Sequence, residues 1–165
     1  MPNRPVETNL TRMHLAALLL LTLAASTQPP ALMIGVASGL EKLRPSEKLP
    51  DARAIALSAA RGECESAQIA LRAKRAIKSL SAGADPLRGE QLSAKEQALP
   101  VALYRVAWLE LARGSGPDGA AGVWPDPLIP AVDPDFGETR AAFPIAMKPG
   151  DTEVVWVELC VPAQA

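Results

Sequence analysis

The chain has 165 residues, with 17 lysines and arginines against 18 aspartates and glutamates, and a formal net charge of −1. That length suits one domain of ordinary size, and the near-neutral charge lacks the electrostatic footprint of a protein that binds DNA or RNA. The 11 glycines and 16 prolines favour many short strands joined by ordered loops over long helices.

Residues 1–26 have the organisation of a signal peptide. Arg4 and Arg12 form a basic start, and Leu15–Ala25 is an apolar run that only Thr22 interrupts. A run of about eleven residues is within the ~7–15 of a signal peptide and shorter than the ~20 that span a bilayer. Small residues place the cleavage site after Ser26, and an uncleaved anchor helix is the alternative. We therefore expect export to the periplasm or the extracellular space, with no membrane contact after cleavage.

Removal of this leader would also remove His14, which is the only histidine of the chain. Without histidine, a protein builds neither a Ser-His-Asp triad nor a Cys-His pair, and it has no histidine ligand for zinc. The acid–base candidates that remain in the mature chain are carboxylates, lysines and Tyr104. We expect the mature domain to have no catalytic residue, metal or cofactor of its own.

The cysteines are Cys64 and Cys160. In an oxidising compartment, a disulfide bond between them would close a long loop and stabilise the fold by about 4–5 kcal/mol. Two separate buried thiols that act as small apolar side chains fit the sequence equally well. Both residues lie in predicted strands, on the more polar face of each.

The mature chain is residues 27–165, and its first half predicts several short strands. Ala31–Val36 is an apolar run that ends before Gly39. Ala52–Ala60 and the segment 61–74 both alternate with a period near two, which is typical of strands with one buried face. The stretch 76–92 predicts one more short strand followed by a Gly/Asp/Pro turn, and Lys95–Ala98 is the one place where a helical turn is expected.

The second half predicts two long strands, Leu99–Ala112 and Thr152–Pro162. On the last strand we expect one face to meet the core, with Val155, Val157, Leu159 and Val161 on it and Val154, Trp156, Glu158 and Cys160 opposite. Trp108 and Trp156 both lie opposite the aliphatic faces, so they form either a sugar-stacking platform or side chains that the long loop or a neighbouring domain covers. Coverage is favoured because large aromatic side chains are usually buried. Six or seven short strands in all predict an immunoglobulin-like β-sandwich.

Residues 113–150 are rich in proline, glycine and aspartate and predict one long loop, a feature that is usually functional in a compact domain. Its acids Asp126, Asp133, Asp135 and Glu138 could form a calcium site, and a glycosidase carboxylate pair is a second alternative. An interaction loop is favoured, because prolines hold an extended path and aromatic side chains need a surface to bury against. The candidate contact residues are Trp124, Pro125, Asp126, Pro127, Leu128, Phe136 and Arg140.

Several segments resemble the N-terminal β-sandwich domain of glycoside hydrolase family 123 and its uncharacterised relatives, which are exported bacterial proteins. These segments are ASGLEKLRP at 37–45, SAARGECESAQIALR at 58–72, VWPDPLIP at 123–130, DPDFGETRAAFP at 133–144 and VVWVELCVP at 154–162. The resemblance spans nearly the whole mature chain, and its most specific part is the tryptophan–proline–aspartate segment 124–130.

The resemblance implies that the sandwich precedes a (β/α)₈ barrel, which in that family removes terminal N-acetylgalactosamine from glycans with an Asp-Glu pair. That pair belongs to the barrel, so no catalytic residue transfers to this chain. The family's sandwich continues beyond the position of Ala165, which implies a fragment that lacks its last strand. We therefore expect a non-catalytic accessory domain that packs on such a barrel, in cis or in trans, through the 124–130 segment. The alternative is a free-standing secreted carbohydrate-binding module, with glycans as its ligands.

Overall fold

The computed structural model describes residues 30–88, 98–114, 116 and 119–164. The regular elements of this part are all strands, which confirms the predicted all-β class. The strands are β1 (Leu32–Ser38), β2 (Cys64–Ala73), β3 (Ile77–Leu80), β4 (Val101–Leu111), β5 (Gly122–Pro130), β6 (Ile145–Met147) and β7 (Thr152–Cys160). The predicted signal peptide, and most of the predicted helical turn at Lys95–Ala98, lie outside the described residues. Within the described ranges, no helix is long and apolar enough to cross a membrane.

The strands form two antiparallel sheets. Five of them are ordered β1-β2-β7-β4-β5, and β3 pairs with β6 in a separate two-stranded sheet. Two antiparallel sheets without closure fit a β-sandwich, in which side chains from the inner faces form the core. The predicted strands at the positions of β1, β2, β3, β4 and β7 are confirmed, with their ends shifted by a few residues.

The central strand β7 is buried on both faces, since Val154 is 0% exposed and Val155 is 3% exposed. On the Val154 face, a core cluster contains Leu49, Ala70, Val106 and Val154, with Leu43, Trp108 and Trp156 packed against it. The segment between β1 and β2 therefore covers the tryptophans. The favoured coverage of Trp108 and Trp156 is found as partial burial, and residues 39–50 supply it in place of the long loop or a neighbouring domain.

The opposite face of the large sheet is covered over only part of its length. The two-stranded sheet packs at one end through a second cluster of Ala73, Ile145 and Met147, with Leu32, Ile77, Leu80 and Phe143 beside it. The rest of this face lines an apolar groove of about 630 Å³, with Ile69, Leu71, Leu103, Val155, Val157 and Leu159 among its walls. The face predicted as the core of the last strand thus looks onto this groove.

Residues Ala52–Ala60 do not form the predicted strand. This segment has no ladder partner; it makes one backbone contact with β1, where the Val36 amide donates to the carbonyl oxygen of Ala52 at 3.0 Å. Its alternation places alanines on one side, and alanine removes little apolar area from water. Ile55 and Leu57 reach the groove, so the pattern marks a covering segment rather than a strand.

The predicted long loop 113–150 is also corrected, because it contains β5 and β6. Pro125, Pro127 and Pro130 argued against a strand, since proline removes a donor from the ladder. β5, however, is an edge strand that pairs only with β4, through a register that shifts between Val106 and Trp108. Edge strands and bulges are where a sheet accepts proline, and these prolines also protect the edge from pairing with another chain.

The two cysteines form a disulfide bond, which settles the alternative that the sequence left open. Cys64 and Cys160 lie directly opposite each other in the β2–β7 register. Beyond them the Gly62 amide donates to the carbonyl oxygen of Val161, and the Val161 amide donates to that of Glu63, both at 2.8 Å. The bond therefore joins β2 and β7 at the end of the sheet where β2 begins and β7 ends.

Candidate functional site

The predicted contact residues lie on β5 and on the turn that follows it, and Trp124 has a partner within the chain. The guanidinium carbon of Arg44 lies 4.5 Å from the centre of the Trp124 ring, a cation–π geometry. Arg44 Nε donates to the carbonyl oxygen of Val123 at 3.3 Å, and Trp124 Nε1 donates to that of Ala120 at 2.8 Å. The Arg44–Trp124 contact therefore links β5 to the segment 39–50. Trp124 has this partner within the chain, so it does not need a surface on another domain to pack against.

Gly122 allows this approach. Its φ of +126° is a conformation that favours glycine, and a Cβ atom there would lie 2.6 Å from Arg44 Nη2. The next proline, Pro125, is buried and lies opposite Trp108 in the ladder. Asp126, Pro127 and Leu128 are exposed, so the outward surface of β5 begins at Asp126.

The turn at 132–139 is organised by Asp133. Its Oδ1 accepts hydrogen bonds from the Asp135 and Phe136 amides, both at 3.0 Å. Its Oδ2 accepts from Arg140 Nη2 at 2.7 Å, and the same Arg140 nitrogen lies 3.0 Å from Glu138 Oε2. Arg140 and Asp133 thus brace a turn that leaves Phe136 79% exposed.

The hydrogen bond from Arg140, followed by the Phe136 and Asp135 amides, lowers the pKa of Asp133 below its ordinary value of 3.8. A lowered native pKa means that ionised Asp133 stabilises the folded turn fully above pH 3.8, and that this support is lost as the pH falls through the lower native pKa. We expect a carboxyl NMR titration of Asp133 to show a midpoint below 3.8. In Arg140→Gln the midpoint should rise towards 3.8 and stay below it, because the two amides remain. An unchanged midpoint in Arg140→Gln would contradict the role given to Arg140.

The acids of the former calcium alternative are distributed over this structure rather than gathered. Asp126 is on β5, while Asp133 and Glu138 both contact Arg140. Among the described residues, no group of three or more histidine, cysteine, aspartate or glutamate side chains is placed to hold a metal ion. In the turn at 132–140, the carboxylates of Asp133 and Glu138 bind Arg140.

A small cleft lies beside β5, between this strand and the segment 39–42. Its volume is about 200 Å³, and its lining consists of Gly39, Glu41, Lys42, Gln68, Val106, Pro125, Asp126, Leu128 and Trp156. Gln68 is 2% exposed, and its Nε2 donates to the carbonyl oxygens of Ser38 and Glu41, both at 2.8 Å. These bonds hold the segment 38–41 against β2.

The indole nitrogen of Trp156 is buried and has no hydrogen-bond partner. It is the one buried side-chain nitrogen or oxygen in this condition across the described part of the chain. Tyr104, opposite Trp156 in the β4–β7 register, donates its hydroxyl to Glu158 Oε1 at 3.4 Å. Burial first, and the Glu158 carboxylate second, raise the pKa of Tyr104 above its ordinary 10.0. Trp156 therefore lies beside Tyr104 in the ladder and packs against the core cluster, with its indole donor unpaired.

Reasoning from sequence named Trp156 but not the cleft around it. The available signal was Gln68, a polar residue between the apolar residues Ala67 and Ile69 of β2. A buried glutamine requires specific partners, and here those partners form one wall of the cleft. Glu41, Lys42 and Asp126 come together only through the tertiary fold.

No family model and no curated protein matches this chain. The resemblance to glycoside hydrolase family 123 therefore depends on the segments quoted above, and the function that follows from it is a proposal.

Proposed function

We propose that this chain is the non-catalytic N-terminal accessory domain of an exported protein similar to glycoside hydrolase family 123, and that it packs on a catalytic (β/α)₈ barrel. The observation that carries the proposal is the apolar surface of β5 and its turn. Leu128, Val132 and Phe136 are 40%, 54% and 79% exposed, and Asp133 and Arg140 hold the turn that presents Phe136. An aromatic side chain in a braced turn suits the role of an interface anchor.

The contact surface is narrower than the sequence indicated. Trp124 and Pro125 stabilise the domain itself, and Arg140 braces the turn. Asp126, Pro127, Leu128 and Phe136 then remain as the residues that face outward to a partner, and Val132 joins them. This division supports a docking surface built on an edge strand whose prolines exclude strand-to-strand pairing.

Two further features support the proposal. The exposed disulfide bond between Cys64 and Cys160 suits the oxidising compartment that the leader predicts. The uncovered apolar groove would accommodate the additional strand of the family's sandwich, which would complete an immunoglobulin-like arrangement. A strand with apolar residues at every second position would bury the groove walls in the way that sheets do in sandwiches.

The alternative of a carbohydrate-binding module loses the exposed platform that it would need. Trp108 packs against the core cluster, and Trp124 is stacked by Arg44. Stacking on a sugar uses an open ring face, and both of these side chains are half-buried, with one face of Trp124 occupied by Arg44. Trp156 lines the cleft of about 200 Å³ beside β5, and Trp124 lines a neighbouring cleft of about 250 Å³.

Docking can be tested by mixing the disulfide-bonded domain with a separately expressed barrel of a family 123 glycosidase. We expect the wild-type domain to bind, and the variant Leu128→Ser/Phe136→Ser to bind at least tenfold more weakly, as for loss of an interface anchor. Leu40→Ser is the matched control, because Leu40 is 93% exposed and lies outside the proposed surface. Calorimetry measures the affinity, and thermal unfolding checks that each variant is folded.

Two outcomes would overturn the docking proposal: no binding of the wild-type domain to the barrel, or equal binding of the double variant. The DNA beyond the codon for Ala165 gives an independent check. The proposal expects one more apolar strand there, followed by a (β/α)₈ pattern with paired acids.

A further inference from the structure

We propose that the apolar groove on the large sheet accepts one extended polypeptide strand from a partner, which pairs through its backbone with residues 53–59. The segments 53–59 and 82–86 both border the groove, since Ile55, Leu57 and Ala84 are among the residues that line it. Within the part of the chain that the structure describes, neither segment has a backbone-to-backbone hydrogen bond. Unpaired backbone groups beside apolar pockets are what β-strand addition requires, because the backbone bonds give affinity and the pockets take alternate side chains.

The segment 53–59 has the side-chain arrangement of a strand and lacks only a neighbour. Ile55 and Leu57 line the groove, while Ala54 and Ala56 line a separate cleft. Side chains that alternate between two sides leave the backbone N–H and C=O groups directed sideways, where the next strand of a sheet lies. A strand beside this segment would therefore form the ladder that the alternation in its sequence predicts.

The groove has the length and width of a single strand. Val155, Val157 and Leu159 of β7 run along its floor, with residues of β2 and β4 on either side. This floor is about 14 Å long at ~3.4 Å per residue, and about 10 Å wide across three strands spaced ~4.8 Å apart. A patch of that size is several times smaller than the ~800 Å² that each partner of a stable protein–protein interface buries. It is too small to hold a second copy of the chain, whereas a strand of about four or five residues fits.

The lining of the groove defines the side chains of the added strand. Among the described residues that line it, Asp85 is the one charged residue, and most of the others are aliphatic. The inward positions of the strand should therefore carry apolar residues, preferably β-branched ones, and the outward positions should carry polar ones. We assign the strand to the polypeptide that carries the barrel. This assignment rests on the proposed function, whereas the pairing with 53–59 rests on the groove alone.

The test uses the purified, disulfide-bonded chain and the synthetic peptide Ac-KTVTVTVTK-NH₂, which presents three valines on one side. Methyl NMR spectra and amide hydrogen exchange are recorded as the peptide is added to about 5 mM, which is enough to detect a millimolar Kd. We expect saturable shifts of the Ile55, Leu57 and Val157 methyl resonances. Alternate amides of 53–59 should exchange several-fold more slowly in the presence of the peptide, because hydrogen bonding to the added strand protects them.

One control peptide and three variants refine the test. Ac-KTVPVPVTK-NH₂ keeps the three valines but lacks two backbone N–H groups, so it should bind at least fivefold more weakly. Ile55→Ser removes an apolar wall at a side chain that is 38% exposed, and it should weaken binding of the first peptide several-fold. Leu40→Ser is the matched control, because Leu40 is 93% exposed and does not line the groove.

The variant Leu128→Ser/Phe136→Ser should bind the first peptide as the wild type does, because neither residue lines the groove. Failure of docking through β5 and failure of strand addition are therefore separate results.

The absence of any shift of the groove methyl resonances at about 5 mM of the first peptide would overturn the proposal. Equal binding of the proline peptide would also overturn it, because the groove would then be an apolar site that forms no backbone ladder. The same holds if the amides of 53–59 are protected without peptide and this protection increases with protein concentration, because a second copy of the chain would then fill the groove.

Discussion

Replacing Cys64 and Cys160 together with alanine should lower the free energy of unfolding by about 4–5 kcal/mol, the entropy that a crosslink removes from the unfolded chain. The bond joins residues 96 apart in sequence, so the loop that it closes is near the upper end of the range in which this effect has been described. Domains of this size have a total stability of about 5–15 kcal/mol. The loss is therefore a large share of the total, and at the lower end of that range it leaves the double variant close to its unfolding transition at room temperature.

Chemical denaturation of the oxidised wild type, the reduced wild type and Cys64→Ala/Cys160→Ala separates the causes. If loop closure dominates, the reduced wild type and the double variant should have nearly the same midpoint, well below that of the oxidised protein. Both cysteines are exposed, so loss of their side-chain packing contributes little. A difference of less than 1 kcal/mol between the oxidised and reduced forms would contradict the prediction.

The position of the bond explains why its effect should extend over the whole sheet. β2 and β7 lie side by side, with β1 beyond β2 and β4 and β5 beyond β7. Cys64 begins β2 and Cys160 ends β7, so the crosslink fixes the register of the central pair at one end. A register slip by one residue would move every side chain of β7 to the wrong face, and β7 is buried on both faces.

Strands were predictable from sequence where apolar alternation coincided with a central position. β4 and β7 show this pattern over nine or more residues, and both were found close to their observed ends. Alternation alone does not show whether a segment has a neighbouring strand to pair with, which is why the prediction of a strand at 52–60 was wrong. The prolines of β5 predicted a loop, because a central strand excludes proline. β5 is an edge strand, and an edge strand tolerates proline.

The site was harder to predict than the fold, because its contacts join distant parts of the chain. Trp124 was identified as an aromatic anchor, but its partner Arg44 precedes it by 80 positions, and no local pattern connects them. The acids 126–138 suggested cation ligands, whereas Asp133 binds amides and Arg140. Neither the groove nor the cleft could be predicted, since both depend on how segments without regular structure cover the large sheet.

The ion pair between Arg105 and Glu153 provides the second large effect. Arg105 Nε and Nη2 donate to the two Glu153 carboxylate oxygens at 3.1 and 3.0 Å, and the side chains are 27% and 10% exposed. In Arg105→Met the Glu153 carboxylate would stay buried without its partner. We expect a loss of about 2–4 kcal/mol, somewhat below the range for fully buried pairs because Arg105 keeps some contact with water.

A double-mutant cycle distinguishes a lost partner from lost packing. Arg105→Met/Glu153→Leu removes both charges and keeps apolar volume, so it should be clearly more stable than Arg105→Met alone. The matched control is Lys48→Met. It breaks the 2.9 Å pair with Asp51, in which both side chains are 82% exposed, and it should leave the free energy of unfolding almost unchanged.

Urea denaturation gives the free energy of unfolding of the wild type, Arg105→Met, Glu153→Leu, the double variant and the control Lys48→Met. A double variant as unstable as Arg105→Met would mean that packing around Arg105, and not its charge, holds this region. The expected recovery would instead show that burial of Glu153 makes its partner indispensable. The contrast with Lys48 would then follow from burial and from the bidentate contact of Arg105, since the two ion pairs have almost the same length.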